Sequence, residues 1–326
     1  MTAAVVKVEG ATLTAQENIF GDNLIERFAK FAGVSESSRV TYTKSLRQMF
    51  RYFAAQNISV PKREDLIDWV DAMKVAQKSA STIQLYVTAA KIFFRWLAQE
   101  QIFPNIADNL KTGIKPNHAH KKDALTAEQC AELVASVKCI SKVRRQRNEL
   151  QELRDKAILS LMVTAGLRTV EVVRANVGDI RFERGKTFLY VTGKGHVEAD
   201  EKILLSKQTC KAIRIYLTAR GKVSANDPLF VSTSRSNKNC RLQTQSISRL
   251  VKKNLRGIGL DSPRLTAHSL RHSAATNLIF AGVELPKVQM VLRHKSLSTT
   301  MIYAEAWERF NNDSEQVLAD AIFGRE

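Results

Sequence analysis

The 326-residue chain lacks the features that cross-link small folds or carry a protein into a membrane. It has only four cysteines, and no two of them form a Cys-x-x-Cys pair, so the sequence indicates neither a disulfide framework nor a zinc site. No apolar run reaches the ~18 residues of a membrane-spanning helix, and the N-terminus has no signal-peptide pattern. We therefore expect a cytoplasmic protein that holds no metal and does not enter a membrane.

Acidic residues are scarce relative to basic ones. The chain has 32 Asp and Glu against 50 Lys and Arg, which gives a formal net charge of +18. A hydrophobic content of 44% and a charged content of 25% are typical of globular proteins and exclude disorder of the whole chain. The excess charge favours a polyanionic partner. Nucleic acid is preferred to a membrane surface, because no basic amphipathic stretch has an apolar face suited to insertion.

Apolar residues recur at helical spacing over residues 19–112, which predicts an N-terminal domain of four helices. Residues 1–18 show no sustained period, and we expect a flexible tail there. Val40 is predicted to lie on the buried stripe of the second helix. Ser81 and Gln84 are interpreted as a capping box that opens the fourth helix.

The helical pattern lapses between residues 113 and 125, where prolines and polar residues predict a basic linker. Thr126 and Gln129 then form a capping box at the start of a second domain, residues 126–326. Over most of this domain, apolar residues recur at helical spacing. Around residues 180–205 the pattern of apolar and polar residues becomes strand-like, which predicts one small antiparallel sheet. The predicted fold class is mainly α, of the α+β type.

Several residues whose side chains could take part in catalysis lie after the linker, each at the boundary of a predicted element. They are Arg168, Lys194, His268, Arg271, His294 and Tyr303. Two guanidinium groups can bind the non-bridging oxygens of a reacting phosphate in place of a metal ion. A phenol assisted by a base or a positive field can form a covalent phosphotyrosine. A lysine can protonate the leaving oxygen, and histidines can exchange protons, so these residues together suit phosphoryl transfer on a phosphodiester.

The motifs around these residues occur in the order and approximate spacing of a known family. They are Gly166-Leu167-Arg168-x-x-Glu171, Gly193-Lys194-Gly195, His268-x-Leu270-Arg271-His272, Leu292-x-His294 and Thr300-x-x-Tyr303. Each motif is weak by itself, but five in register are specific. From about residue 20 to the C-terminus, the chain resembles the tyrosine recombinases of the phage integrase family.

The resemblance implies how the phosphate is held and attacked. Arg168 and Arg271 would clamp the scissile phosphate, and Glu171, one helical turn from Arg168, would hold the site together. Lys194 would protonate the leaving 5′ oxygen, and Tyr303 would become joined to the 3′ phosphate.

The resemblance also implies roles for two histidines and leaves three neighbouring residues open. His268 would be the general base, and His294 would hydrogen-bond the phosphate. His272 is interpreted as structural or as a phosphate contact, and Lys202 competes with Lys194 if the hairpin register differs. Arg293 stands where the family usually has glycine, and we expect it to add a phosphate contact or a surface charge.

The N-terminal domain would be a SAM-like core-binding domain, and the two domains would form a C-shaped clamp around DNA. Its expected contact residues are basic or polar side chains of the second helix, the fourth helix and the linker. They are Arg39, Lys44, Arg47, Arg51, Ser81, Gln84, Lys121 and Lys122. These side chains would neutralise phosphates and reach base edges.

The partner implied by the resemblance is double-stranded DNA with a specific recombination site. A homotetramer on two sites would exchange strands through a Holliday junction without a cofactor, with an accessory DNA-bending protein as an optional partner. The apolar stripe Val317, Leu318, Ile322 and Phe323 would dock on a neighbouring protomer. The alternatives are a type IB topoisomerase and a catalytically silent DNA-binding protein, and the sequence leaves integration, excision and resolution open.

Overall fold

The computed structural model of the chain describes residues 7–8, 11–12, 20–31, 33–114, 123–137, 145–192, 199–294, 296–297, 300–303, 307–308 and 312–324. The chain divides into two units, Met1–Ala119 and His120–Glu326. In the described part of the chain, no helix is both long and apolar enough to cross a membrane.

The first unit is built from four helices, as the apolar spacing predicts. They are α1 (Asp22–Phe31), α2 (Glu36–Ala55), α3 (Arg63–Val75) and α4 (Ala80–Gln99). Ahead of them, in the segment expected to be a flexible tail, β1 (Lys7–Val8) pairs antiparallel with β2 (Ala11–Thr12). Two residues per strand are too few to show a period in the sequence.

Aromatic rings fill the centre of this unit. Phe93 of α4 is fully buried, and its ring lies 5.4 Å from Phe28 and 5.6 Å from Phe50, both edge-on. Edge-to-face packing at this distance stabilises beyond the burial of area alone. Trp69 of α3 is 1% exposed and donates its indole N–H to Gln48 on α2 at 2.9 Å, so α2 and α3 are joined by a polar contact as well.

Two local predictions for these helices are wrong. Val40 is 53% exposed, because it precedes the buried Met49 by nine residues, or two and a half helical turns, and so points to the opposite side of α2. The N-cap of α4 is Ser79, whose hydroxyl accepts the Thr82 N–H at 3.2 Å. Ser81 therefore lies inside the helix, two residues later than the cap.

The second unit is mostly helical. Its helices are α5 (Ala127–Ala135), α6 (Arg145–Ala165), α7 (Thr169–Arg174), α8 (Lys207–Arg220), α9 (Thr244–Gly257), α10 (Ala267–Phe280), α11 (Leu285–Leu292) and α12 (Ser314–Phe323). The predicted capping box at Thr126 and Gln129 is confirmed, since each side chain bonds the other's backbone N–H.

One antiparallel sheet accompanies these helices, in the order β3 (Ile180–Glu183), β4 (Lys186–Thr192) and β5 (Ala199–Leu204). Leu189 of β4 is fully buried and faces Ile203 of β5, and both belong to the same core as α6. The mainly α fold class with a small sheet is thus confirmed.

Replacing Phe93 with Ala should destabilise the first unit by about 3–5 kcal/mol, because it removes the ring on which its neighbours pack. Val75→Ala is the control: Val75 is 83% exposed, so its loss should change stability by about 0.5 kcal/mol or less. Denaturant unfolding followed by tryptophan fluorescence checks both, since Trp69 and Trp96 are two of the three tryptophans and lie in this unit. Equal midpoints for the two variants would contradict the packing argument.

Candidate active site

Arg271 is the most deeply enclosed cation of the candidate site. It lies on α10, is 2% exposed, and donates to the carbonyl of Gly166 at 2.7 Å and to that of Leu292. Gly166 has φ +59°, and a Cβ there would lie 2.7 Å from the Leu292 side chain. A side chain at position 166 would therefore require both an unfavourable left-handed backbone and a shift of the Leu292 side chain, which favours glycine there. Burial, together with the charges of Arg168 and Arg293, lowers the pKa of Arg271 to about 9, so the group stays charged at neutral pH.

Arg168 and Glu171 form the start of α7. The backbone N–H of Arg168 donates to Glu171 at 2.8 Å, and its Nη1 donates to the other oxygen at 2.6 Å. The Arg168 side chain is 31% exposed, whereas that of Glu171 is 2% exposed. Burial raises the pKa of Glu171, but the charge of Arg293, the Arg168 N–H and the charge of Arg168 outweigh it and lower the pKa overall. Glu171 is thus an ionised anchor that orients Arg168.

Tyr303 is 7% exposed and contacts a histidine that the sequence prediction left open. Its hydroxyl hydrogen-bonds Nδ1 of His272, while the ring of His268 lies edge-on to His272 at 4.6 Å. Because His268, Arg271 and His272 are three and four residues apart on α10, they share one face. Burial raises the pKa of Tyr303 to about 12, partly offset by the charge of Arg271. The phenol is therefore protonated and needs a proton acceptor. In the sequence, the feature that points to His272 is its position directly after Arg271.

His294 follows the end of α11. Its Nδ1 lies 2.9 Å from the Thr300 hydroxyl, and its ring is stacked near that of Tyr303 with centroids 6.5 Å apart. Burial, with the charges of Arg271, Arg168, Arg293 and His268, lowers the pKa of His294 to about 4. His294 is therefore neutral at neutral pH, and one ring nitrogen can donate while the other accepts.

Of the two roles expected of Arg293, the surface charge is wrong, and the phosphate contact stays a prediction. Its side chain is 6% exposed, and its Nη2 donates to Glu171 at 2.8 Å. At this position the backbone is left-handed, with φ 55° and ψ 48°, which directs the side chain inward. Burial lowers the pKa of Arg293, and the carboxylate of Glu171 offsets part of that effect.

Lys194 lies outside the described residues, which resume at Ala199. The competing candidate Lys202 lies on β5, where its Nζ is 3.7 Å from Glu183 and 5.1 Å from the centre of the Phe188 ring. Neighbouring side chains of a strand point to opposite faces. Glu201 approaches Arg293 to 3.6 Å, so Lys202 points away from the site.

The predicted DNA-contact residues lie in the first unit or outside the described residues. Arg39, Lys44 and Arg51 are exposed on α2, whereas Arg47 is bound to Asp22 at 2.9 Å. On α4, Ser81 and Gln84 are also exposed.

Lys121 and Lys122 are outside the described residues, like Lys194. Among the residues that the structure does describe, no group of three or more His, Cys, Asp or Glu side chains is placed to hold a metal ion.

The sequence of the chain matches two family models. Residues 124–309 match the phage integrase family, and residues 25–101 match the N-terminal SAM-like domain of phage integrases. The chain belongs to the phage integrase family. Curated relatives include the tyrosine recombinase XerC of Herpetosiphon aurantiacus, 31% identical over 83% of this chain and 85% of that protein. Another is XerA of Pyrococcus horikoshii, 28% identical over 89% of this chain and 91% of that protein.

Solved structures of tyrosine recombinases share the fold of this family member. A XerH site-specific recombinase in a post-cleavage complex with its palindromic difH substrate has a TM-score of 0.67 and 20% identity, covering 92% of this chain and 84% of that one. A lambda integrase dimer bound to a COC′ core site has a TM-score of 0.62 and 16% identity, covering 86% and 76%. The predicted enzyme class, a tyrosine-type site-specific recombinase, is confirmed by the family and the curated relatives.

The neutral state of His294 predicts a pH dependence of stability. Its pKa is about 4 in the folded recombinase and about 6.5 in an unfolded chain. Between these values the unfolded state binds more protons, so this contribution is present above pH 6.5 and is lost as the pH falls toward 4. The midpoint of thermal unfolding should therefore fall more steeply over this interval in the unmodified enzyme than in His294→Asn. Parallel pH profiles for the two proteins would refute this expectation.

Proposed function

We propose that this recombinase cuts and rejoins double-stranded DNA at a specific recombination site through a covalent 3′-phosphotyrosine at Tyr303. The observation that carries the proposal is the contact of the Tyr303 hydroxyl with His272, in a site that also contains Arg271 and His294. A phenol held against a proton acceptor and beside cations suits nucleophilic attack on a phosphodiester. Strand exchange then proceeds through a Holliday junction and serves integration, excision or resolution.

Arg168 and Arg271 are proposed to bind the scissile phosphate. A guanidinium has five N–H donors, and among the described residues two of those on Arg271 are engaged by carbonyls, which leaves three for a phosphate. Arg168 is held by Glu171 and still reaches solvent with 31% of its side chain. These donors are fixed before the phosphate arrives, so they can stabilise the charge that develops on its oxygens without reorganising.

In the proposed cleavage, the Tyr303 oxygen forms a bond to phosphorus as the bond to the 5′ oxygen breaks. Because the Tyr303 hydroxyl hydrogen-bonds Nδ1 of His272, we assign the proton acceptor to His272 in place of His268, the base that the resemblance implies. His268 packs against the ring of His272. Lys194 is the proposed donor of a proton to the leaving 5′ oxygen. Rejoining reverses these steps when a 5′ hydroxyl attacks the phosphotyrosine. Because the phosphotyrosine retains the bond energy, the scheme uses no ATP.

The first unit is proposed to hold the duplex. Lys44 and Arg51 are seven residues apart on α2 and so lie on one face, and both are exposed. Exposed cations can neutralise phosphates at little desolvation cost. Ser81 and Gln84 of α4 are proposed to make polar contacts to bases or phosphates.

Docking of α12 on a neighbouring protomer is the proposed basis of a tetramer. Its apolar side chains are 60–85% exposed: Val317, Leu318, Ile322 and Phe323. An apolar stripe of this kind needs a partner surface. The stripe favours a recombinase over a topoisomerase-like enzyme, which acts as a monomer.

Tyr303→Phe should abolish the covalent protein–DNA adduct, because it removes the nucleophilic oxygen. Adducts captured under denaturing conditions from cells that express the protein would identify the sequence at which it cleaves. A nicked duplex of that sequence would then trap the adduct in vitro. Tyr190→Phe is the matched control: its phenol binds Glu183 on the sheet, and adduct formation should persist. An undiminished adduct from Tyr303→Phe would overturn the proposed nucleophile.

Arg168→Ala should abolish cleavage and largely spare DNA binding, because Arg168 acts on a single phosphate. Lys44→Gln should have the opposite effect. It should weaken binding to every sequence and reduce the slope of log affinity against log salt by about one. Lys74→Gln, which changes a lysine already bound to Asp71, is the control for binding. Loss of affinity alone in both Arg168→Ala and Lys44→Gln would contradict this division.

A further inference from the structure

Arg293 takes a backbone conformation that is costly for any residue other than glycine. It ends α11 with φ 55° and ψ 48°, between Leu292, whose carbonyl binds Arg271, and the proposed phosphate ligand His294. Backbone hydrogen bonds close this helix end, from the Arg293 N–H to the Met290 carbonyl at 3.1 Å and from the His294 N–H to the Gln289 carbonyl at 3.2 Å. The arginine side chain adds contacts that a glycine at position 293 could not make.

The Arg293 side chain runs into the site and is 6% exposed. Its Nη2 donates to Glu171 at 2.8 Å, and its Nη1 donates to the Val291 carbonyl at 2.6 Å. The Glu171 oxygen that accepts from Arg293 also accepts the backbone N–H of Arg168. Arg293 and Arg168 are thus joined through one carboxylate.

The third nitrogen of the Arg293 guanidinium, Nε, faces the sheet. It lies 3.6 Å from Oε2 of Glu201 on β5, and within the described part of the chain both atoms are buried and without a hydrogen bond. Glu201 pairs with Val191 of β4, one residue before the strand ends at Thr192, and Lys194 follows Thr192 by two residues in the sequence. Two buried groups of opposite charge that are just beyond hydrogen-bond distance can form a hydrogen bond after a small movement of either side chain.

We propose that Arg293 is a positioning residue that ties the β4–β5 hairpin to the phosphate-binding arginines. This inference rests on the proposed function, because the hairpin carries Lys194, the proposed donor to the leaving oxygen. Arg293 holds Glu171, and with it Arg168, on one side. On the other side it holds Glu201 and hence the base of the hairpin. A hydrogen bond from Nε to Glu201 fixes β5 relative to Arg293 and, through Glu171, to Arg168.

The test compares two leaving groups on the duplex recovered by adduct mapping. One substrate carries the natural 5′ oxygen at the scissile phosphate, and the other carries a 5′ bridging sulfur. A free thiol ionises with a pKa of about 8.5, so sulfur departs as a thiolate when the bond to phosphorus breaks and needs no proton donor. The rate of adduct formation is measured for Glu201→Gln, Arg293→Gly and the unmodified enzyme.

Both variants should form the adduct about ten- to a hundredfold more slowly on the oxygen substrate, because a misplaced general acid is lost from the transition state. On the sulfur substrate Glu201→Gln should approach the rate of the unmodified enzyme, whereas Arg293→Gly should stay slower because it also removes a contact of Glu171, which holds Arg168. Glu183→Gln changes a carboxylate that contacts Lys202 and should slow neither substrate. Arg168→Ala should stay inactive on both. Arg293→Gly suits the left-handed backbone, and thermal unfolding verifies that each variant is folded.

Equal slowing of Glu201→Gln on both substrates would overturn the inference, since it would mean that Glu201 acts on the phosphate or on the fold and not on the hairpin. Unchanged rates on the oxygen substrate would overturn it as well. If the unmodified enzyme gave no Tyr303-dependent adduct, the proposed function itself would fail and the inference would fail with it. That outcome is distinct, because it appears before any variant is compared.

Discussion

The site depends on one carboxylate placed among guanidinium groups. Glu171 is 2% exposed and accepts hydrogen bonds from the backbone and side chain of Arg168 and from Arg293. Isolated buried charges are very costly, and a buried ion is tolerated only where opposite charge and hydrogen bonds surround it. Without Glu171, Arg168, Arg271 and Arg293 would repel one another in a poorly solvated space. The carboxylate allows three cations to converge where a phosphate must be bound.

The backbone completes what Glu171 begins. Arg271 has no carboxylate in hydrogen-bond contact among the described residues, and it is held by the carbonyls of Gly166 and Leu292. Both carbonyls lie where a helix ends in a left-handed turn. Gly166 is itself the left-handed residue after α6, and Leu292 directly precedes the left-handed Arg293 after α11. Carbonyl dipoles compensate part of a positive charge without neutralising it. Arg271 therefore keeps its charge, while Glu171 offsets about half of the combined charge of Arg168 and Arg293.

Sequence patterns predict those parts of the molecule that depend on periodicity or on local hydrogen bonds. The four helices of the first unit and the capping box at Thr126 follow from apolar spacing and from side-chain chemistry three residues apart. The order of motifs likewise indicates the residues that α10 brings to one face. Val40 and Ser79 show the limits, since a shift of one or two residues changes which side chain is buried or caps a helix. Such shifts depend on packing that a single sequence does not contain.

The contacts of Arg293 and His272 lie beyond any such pattern. Arg293 meets Glu171 across 122 residues of sequence, and His272 meets Tyr303 across 31. Both contacts join segments that are distant in the sequence, so no local spacing encodes them. What the sequence does show at position 293 is an arginine at the end of a helix, which is usually a solvated charge that interacts with the helix dipole. The left-handed backbone reverses that expectation by turning the side chain inward.

The net charge of +18 is thereby divided into two physically different groups. Lys44 and Arg51 are exposed, so mobile ions screen them and compete for the phosphates that they are proposed to bind. Arg271 and Arg293 are almost fully buried, so their fields act through protein and are screened far less. In the proposed function, salt therefore controls how often the enzyme holds DNA, whereas the field at the scissile phosphate is set by burial and by Glu171. The affinity for DNA and the rate of cleavage can thus be adjusted independently, although both depend on positive charge.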